Sequence, residues 1–495
     1  MTSSKSSPKP GDKNSFKMVS PFDMFYQLTY MSAMASAGIS RAKTFEIAAL
    51  SKSKAAVYFK AINTLVDEFR YDYPEACHTI GLKAKSENIR SFLLRLADAL
   101  RSGEPLAEFL AREAEVQSED YENRYERDLE ALKQWANAFS SIIMSVALIV
   151  IIQVITSMIY SMDVSVMGGL VATGLLMSAL GAWVISRSAP REVMNVSPSV
   201  GSKEQKRALN LFKFLVPGAI VLGLLMNMLG VPLGVTLLIV AGMLLPVGIA
   251  SMISDRRMNK KDVEFSTFLR SVGGMATSSG TTLKQALTKI DLSSFPYLES
   301  DIDRLSTRLQ ALVEPEICWH KFGQETGSKL ISEVSDIFYS AVKIGGEPER
   351  VGFLCSLFTA KTAQLRAKRR LTASTFSGLT TVMQAVVAGL MVFVLSIVIN
   401  FATMVETLMP QNDDALSGRP MMSLGMAEFS PEDLQFLSGV TVSMVLLLAV
   451  VSASAMIACD GGYKLKVSLY LSMIMFISGL SFLLVPPMVA GILTM

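Results

Sequence analysis

Two histidines and four cysteines are all that 495 residues supply, and this scarcity removes most metal chemistry at the outset. Cys77-His78 and Cys318-Trp319-His320 stand at nearly matching places in two related segments. Each offers one Cys and one His where a structural zinc takes four ligands, and no Cys-x-x-Cys occurs. They are read as helix-surface or core residues, and Cys355 and Cys459 as small apolar fillers; an unpaired set of thiols suits a reducing compartment. The chain also lacks Gly-x-x-x-x-Gly-Lys-Ser/Thr, so nothing marks a phosphate cradle. It is expected to be no enzyme and to carry no cofactor; if ATP is used, a partner hydrolyses it. No stretch alternates with period two, which argues against a sheet. A charge excess of either sign is missing too, since 46 Lys and Arg stand against 43 Asp and Glu, and the balance becomes informative only segment by segment.

Apolar residues are what the chain has in plenty: 51% of it is hydrophobic and mean hydropathy is +0.40, yet 18% is charged. Such a chain alternates between lipid and water. Seven runs approach the roughly 20 residues a bilayer crossing takes, at Ala138–Tyr160, Val166–Ser186, Phe214–Leu229, Val231–Ile253, Phe376–Met404, Leu434–Cys459 and Val467–Met495. Their central stretches hold Gln153, Asn227, Gln384 and Asn400 but no ionisable residue, whereas ion-coupled transport usually needs one at that depth. Lysine and arginine crowd three loops: Arg187 to Lys213, Arg256 to Lys261, and Lys464 with Lys466. The alternate loops are acidic, Asp163 in one and Glu406, Asp413, Asp414, Glu428, Glu432 and Asp433 against Arg419 in the other. By the positive-inside rule the basic loops face the cytoplasm, which puts the N-terminus inside and the C-terminus outside.

The chain repeats itself at a spacing of about 242 residues. Met34-Ala35-Ser36-Ala37-Gly38 returns as Met275-Ala276-Thr277-Ser278-Ser279-Gly280, and Gly103-Glu104-Pro105 returns as Gly346-Glu347-Pro348. Two motifs kept in order over more than sixty residues point to a duplicated module. Phe25, Leu28, Met31 and Ala35, then Phe92, Leu93, Leu96 and Leu100, recur at three and four, as amphipathic helices require. Gly38, Gly280, Gly103 and Gly346 read as helix terminators, where positive φ is wanted, and Pro105 and Pro348 as first residues of the next helix. Charged helical sequence then runs without a breaker into the first and fifth apolar runs. The expected fold is all-α and polytopic, with about seven transmembrane helices and two cytoplasmic helical-bundle modules. Its parts are a disordered tail (1–21), module 1 (22–137), spans 1–4 (138–253), module 2 (254–375), span 5 (376–404), an acidic outer loop (405–433) and spans 6–7 (434–495).

The Ser-Ala-Gly and Ser-Ser-Gly helix ends, the apolar helices that follow from Ile39 and Leu283, and the Gly-Glu turn before a membrane-bound helix resemble the type II secretion system F domain family. Two such domains with extra spans between them are similar to its archaeal branch, the FlaJ- and TadC-like platform proteins of archaella and type IV pili. The resemblance covers roughly Phe22 to Met404 and implies a membrane platform. A hexameric cytoplasmic secretion ATPase acts on such a platform, and pilin- or archaellin-like filament subunits assemble above it. Pro105 and Pro348 depart from the small residue that many relatives carry there. The alternative reading is a transporter or channel with large cytoplasmic domains.

Partner-binding candidates are Glu104 and Glu347, repeated charges at a turn, which a repeat-to-repeat salt bridge explains equally well. The run Arg366, Lys368, Arg369 and Arg370 reads either as an anchor to anionic headgroups or as a partner site. Expected partners are thus the ATPase, filament subunits, membrane lipid and further copies of this chain. Nucleic acid is not expected, because the bases lie against the membrane without interleaved aromatics.

Overall fold

The computed structural model describes residues 16, 18–159, 164–190, 192–196, 201–408 and 431–493, and among them every regular element is helical. In chain order these are α1 (Pro21–Ala35), α2 (Arg41–Leu50), α3 (Ala56–Phe69), α4 (Tyr73–Lys83), α5 (Glu87–Ser102), α6 (Leu106–Ile159), α7 (Val164–Ser188) and α8 (Lys203–Met228). There follow α9 (Leu233–Ser278), α10 (Leu283–Lys289), α11 (Glu299–Gln310), α12 (Pro315–Glu325), α13 (Lys329–Lys343), α14 (Pro348–Leu408), α15 (Pro431–Asp460) and α16 (Val467–Leu493). Seven of them, α6 to α9 and α14 to α16, are long and apolar enough to cross a membrane. The chain is therefore an all-α, multi-pass membrane protein. Of the expected tail, residues 1–15 and 17 lie outside the described residues, as do 409–430 of the acidic loop and 160–163 between the first two spans.

Contacts divide the chain into two compact units. The first draws on 1–127, 200–202 and 257–366 and contains both copies of the repeat. Their correspondence extends well beyond the two sequence motifs. Ser40 caps α2 by accepting from the Lys43 N–H, and Thr282 caps α10 by accepting from the Gln285 N–H, 242 residues on. Arg70 and Leu312, the two non-glycine residues with positive φ among the described residues (60° and 59°), are again 242 apart, each leading into α4 or α12. Gly81 in α4 and Gly323 in α12 match as well, and in both a Cβ would press on the next helix of its copy, on Leu93 Cβ at 3.3 Å and on Ser332 Cα at 2.6 Å. Each copy fills its own core: Phe45, Phe59, Phe92 and Leu96 in the first, Phe265, Phe268, Trp319, Phe322 and Phe338 in the second, all buried. The first helix of the second copy is no separate element but the far end of α9, which runs on from the fourth apolar span.

The second unit, 128–199, 203–256 and 367–495, holds the apolar spans. Its close packing relies on glycine, as expected where lipid offers helices no hydrophobic drive to associate and small residues let backbones approach. A Cβ on Gly234 in α9 would meet the Gly479 carbonyl of α16 at 2.9 Å, and one on Gly248 would meet Leu469 Cα at 2.6 Å. Where α15 ends, Lys466 is buried between Asp460 (2.8 Å) and Asp255 (3.5 Å).

Candidate functional site: the duplicated turns and the seam between the copies

The first duplicated turn is a Schellman-type stop. Gly103 takes φ +79°, and the Glu104 N–H donates to the Ala99 carbonyl at 3.1 Å, which satisfies one of the helix-end carbonyls. The second turn closes the same way, but with Gly345 at φ +102° and the Gly346 N–H donating to Ala341 O at 2.9 Å. The terminator of α13 is therefore Gly345, not Gly346. Gly346 stands in the position of Glu104, buried, with its missing Cβ facing Ala341 O at 2.8 Å and Val351 Cγ2 at 3.0 Å. The spacing of 242 holds up to the glycine and becomes 243 at the proline, so the second copy carries one extra residue inside this turn. Pro105 precedes α6, and its carbonyl accepts from Glu108 and Phe109; Pro348 is the first residue of α14, and Glu347 is the cap whose carbonyl accepts from Val351.

The two glutamates are accordingly not equivalent. Glu104 pairs with Arg112 of its own copy, so the bridge to the other repeat is not what it makes. Glu347 is exposed. Gly38 (φ +69°) and Gly280 (φ +57°) do end their helices in the left-handed region and are exposed. The structure does not bring the four bases to one surface. Arg366 is buried on Asp262 at 2.7 Å, and Arg369 is buried with its guanidinium donating to the carbonyls of Pro190, Ala458 and Cys459 at 2.8–3.0 Å. Lys368 and Arg370 are half-buried. A basic run read along the chain as one patch is thus split by the helix, which turns the two arginines three residues apart into the protein interior.

Between the copies lies a seam that sequence reasoning missed. Phe25 of α1 packs on Phe358 of α14 with ring centroids 4.6 Å apart, and Phe22 packs on the same ring at 6.0 Å. Lys52 reaches Asp336 at 2.6 Å, and Lys361 pairs with Glu122. Asp336 also contacts His320 Nδ1 at 3.3 Å, and His320 Nε2 lies 2.9 Å from the Gln324 amide. The seam opens into a cleft of about 710 Å³ lined by Tyr26, Tyr30, Lys52, His320, Asp336 and Tyr339 among others. Burial pushes the Tyr26 hydroxyl and the Glu333 carboxyl beside it above their ordinary ranges, Lys329 partly countering the latter. The aromatic residues of α1 were the available signal; their spacing read only as one face of a helix. Cys77 is buried, and burial pushes its thiol up to about 12; Cys318 is buried and shifted upward for the same reason.

A polytopic helical protein with a duplicated helical module, each copy running into a span, is the class this architecture defines. Residues 28–156 match the family model for Type II secretion system (T2SS), protein F, and the resemblance carried by the repeated motifs holds. The chain is similar to Flagella accessory protein J of Methanocaldococcus jannaschii, 26% identical over 343 residues that cover 66% of this chain and 59% of that protein. It thus spans less than two thirds of that relative's length. It is also similar to Flagella accessory protein J of Methanococcus voltae, 23% identical over 436 residues, 85% of this chain and 76% of that one. No solved structure matches it.

Proposed function

We propose that this chain is the membrane platform of an archaellum- or type IV pilus-like filament machine, which passes force from a cytoplasmic secretion ATPase to filament subunits. The similarity to the flagella accessory proteins and the secretion-system family supports the class of machine. The observation that carries the coupling is α6: 54 residues from the first copy of the module into an apolar span without one Gly or Pro, the usual causes of kinks. α14 likewise begins at the duplicated turn and ends as a span, and α9 runs the other way into the second copy. Motion imposed on the modules would travel along unbroken helices, with no chemistry required of this chain.

The test is a pull-down of the tagged chain from its native membranes, which should bring a hexameric secretion ATPase and filament subunits. Their absence, with the chain intact, would overturn the reading. If the turns form the ATPase contact, Glu347→Lys should weaken ATPase capture while leaving the melting temperature within a degree or two, because Glu347 is exposed and exposed charge reversals change stability little. Unchanged capture would move the contact elsewhere.

The same reading places both modules in the cytoplasm, on the strength of the alternating basic and acidic loops. All four native cysteines are buried, so an introduced one can be followed. A membrane-impermeant maleimide should label Ser417→Cys from outside intact cells and leave Lys206→Cys untouched; labelling of Lys206→Cys would invert the topology.

A further inference from the structure

In the second unit, a groove of about 650 Å³ opens between the ends of α7 and α15, and the function proposed above does not use it. Its walls are of two kinds. Ala179, Ala182, Val451 and Ile457 make an apolar face continuing along two membrane-spanning helices, whereas Gly461, Gly462 and Lys464 form the end that leaves them. Trp183 lines the same groove, 59% exposed, with the Arg187 guanidinium 5.9 Å from its ring centroid. Arg187 and Lys464 are both exposed, and among the described residues neither has a carboxylate in ion-pair range.

A second observation lies behind the groove wall. Arg369 is 2% exposed, and among the described residues its guanidinium hydrogen-bonds to the carbonyls of Pro190, Ala458 and Cys459. Those carbonyls are dipoles, two of them at the last turn of α15, and among the described residues no carboxylate is in direct ion-pair contact with this buried charge, an arrangement proteins ordinarily avoid. The guanidinium packs directly against Gly461, which holds φ +66° and has no side chain to intervene; a Cβ there would collide with it. Gly461, which lines the groove, therefore backs directly onto the buried cation.

We propose that this groove binds an anionic phospholipid. Its phosphate is held by Lys464 and Arg187 over the buried charge of Arg369, and its acyl chains lie on the apolar faces of α7 and α15. Basic pockets between spans beside apolar surface bind such headgroups, and an interfacial tryptophan sits where headgroup meets chain. Against the anion stand Glu192 in the lining and, behind Gly462, Asp460 and Asp255, the latter two compensated in part by buried Lys466.

The experiment is a thermal melt of the full chain in neutral detergent, titrated with dioctanoyl phosphatidylglycerol, dioctanoyl phosphatidylcholine or inorganic phosphate. Phosphatidylglycerol should raise the melting temperature saturably, and the other two should not. Arg187→Ala with Lys464→Ala should melt as the parent does without lipid. It should bind phosphatidylglycerol roughly thirtyfold more weakly, about fivefold for each cation near the membrane surface. Glu192→Gln should bind it severalfold more tightly, a change that loss of structure would not produce. Equal stabilisation by phosphatidylcholine, full stabilisation by inorganic phosphate alone, or unchanged phosphatidylglycerol affinity in the double variant would each overturn the proposal.

Discussion

Replacing Gly352 with leucine should destabilise the protein by about 3 kcal/mol or more, at the upper end of what overpacking costs, because the atoms in the way cannot yield. In the second copy α9 and α14 cross with their backbones in contact: a Cβ on Gly352 would lie 2.6 Å from the Leu269 carbonyl oxygen. The contact is reciprocal, since a Cβ on Gly273 of α9 would strike the Pro348 carbonyl and come within 3.1 Å of Glu349 Cα. Thr277 of α9 closes the crossing by accepting the Glu349 N–H at 3.1 Å. Side chains swing away from an intruding group, whereas two hydrogen-bonded helices must separate as bodies. Gly378, also in α14, has nothing within 4 Å of its Cβ direction, so Gly378→Leu should melt like the parent or slightly higher, leucine being the better helix former. Equal melting temperatures for the two variants would mean that the close crossing does not exist. The first copy holds Met31 and Phe109 at the matching places, both buried. Its helices are spaced by side chains where those of the second touch, so two modules alike in sequence motifs differ in how α1 and α9 meet the helices that follow the turns.

The large features were legible because they rest on simple physical demands. A membrane crossing needs a long apolar run, and the seven runs are the seven long apolar helices. A helix packed on one face repeats at three and four, and Phe25, Leu28, Met31 and Ala35 are all buried. Continuity was legible for the helices entering the first and fifth runs, which lack a breaker, but not for the one leaving the fourth. The fourth apolar run stops at Ile253, yet α9 continues through Asp255, Arg256, Arg257, Lys260 and Lys261 to Ser278, because solvation changes along a helix without interrupting its hydrogen bonds. Nor could residue type choose between Gly345 and Gly346, since the register of the closing hydrogen bond decides which takes positive φ. That the basic run forms no single surface was illegible for a related reason: counting charges along a chain ignores the 100° turn per residue that separates Arg366 and Arg369 from their neighbours. Arg70 and Leu312 carry no signal at all in their side chains, and only their spacing of 242 marks them as the same joint used twice.

Asp262→Ala should be the other severe substitution, costing about 3–5 kcal/mol, the usual result of removing one member of a buried ion pair. The carboxylate of Asp262 on α9 and the guanidinium of Arg366 on α14 are 2% and 3% exposed and 2.7 Å apart. The variant would leave the buried guanidinium without the carboxylate it meets at 2.7 Å. The cost measures that lost compensation inside the protein rather than the worth of the pair, because desolvating both ions offsets much of their attraction. Removing both charges separates the two quantities: Asp262→Leu with Arg366→Met should recover most of the loss and melt near the parent. A contrast comes from Lys43 and Glu46, whose side chains are 52% and 59% exposed at 2.8 Å, a pair for which solvent screening holds the effect to about 0–1 kcal/mol. Lys43→Ala should therefore barely move the melt. A double variant as unstable as Asp262→Ala would show that α9 and α14 need the charges themselves to choose their register. Recovery would show that the pair fills the crossing, with close packing at Gly273 and Gly352 setting the register instead.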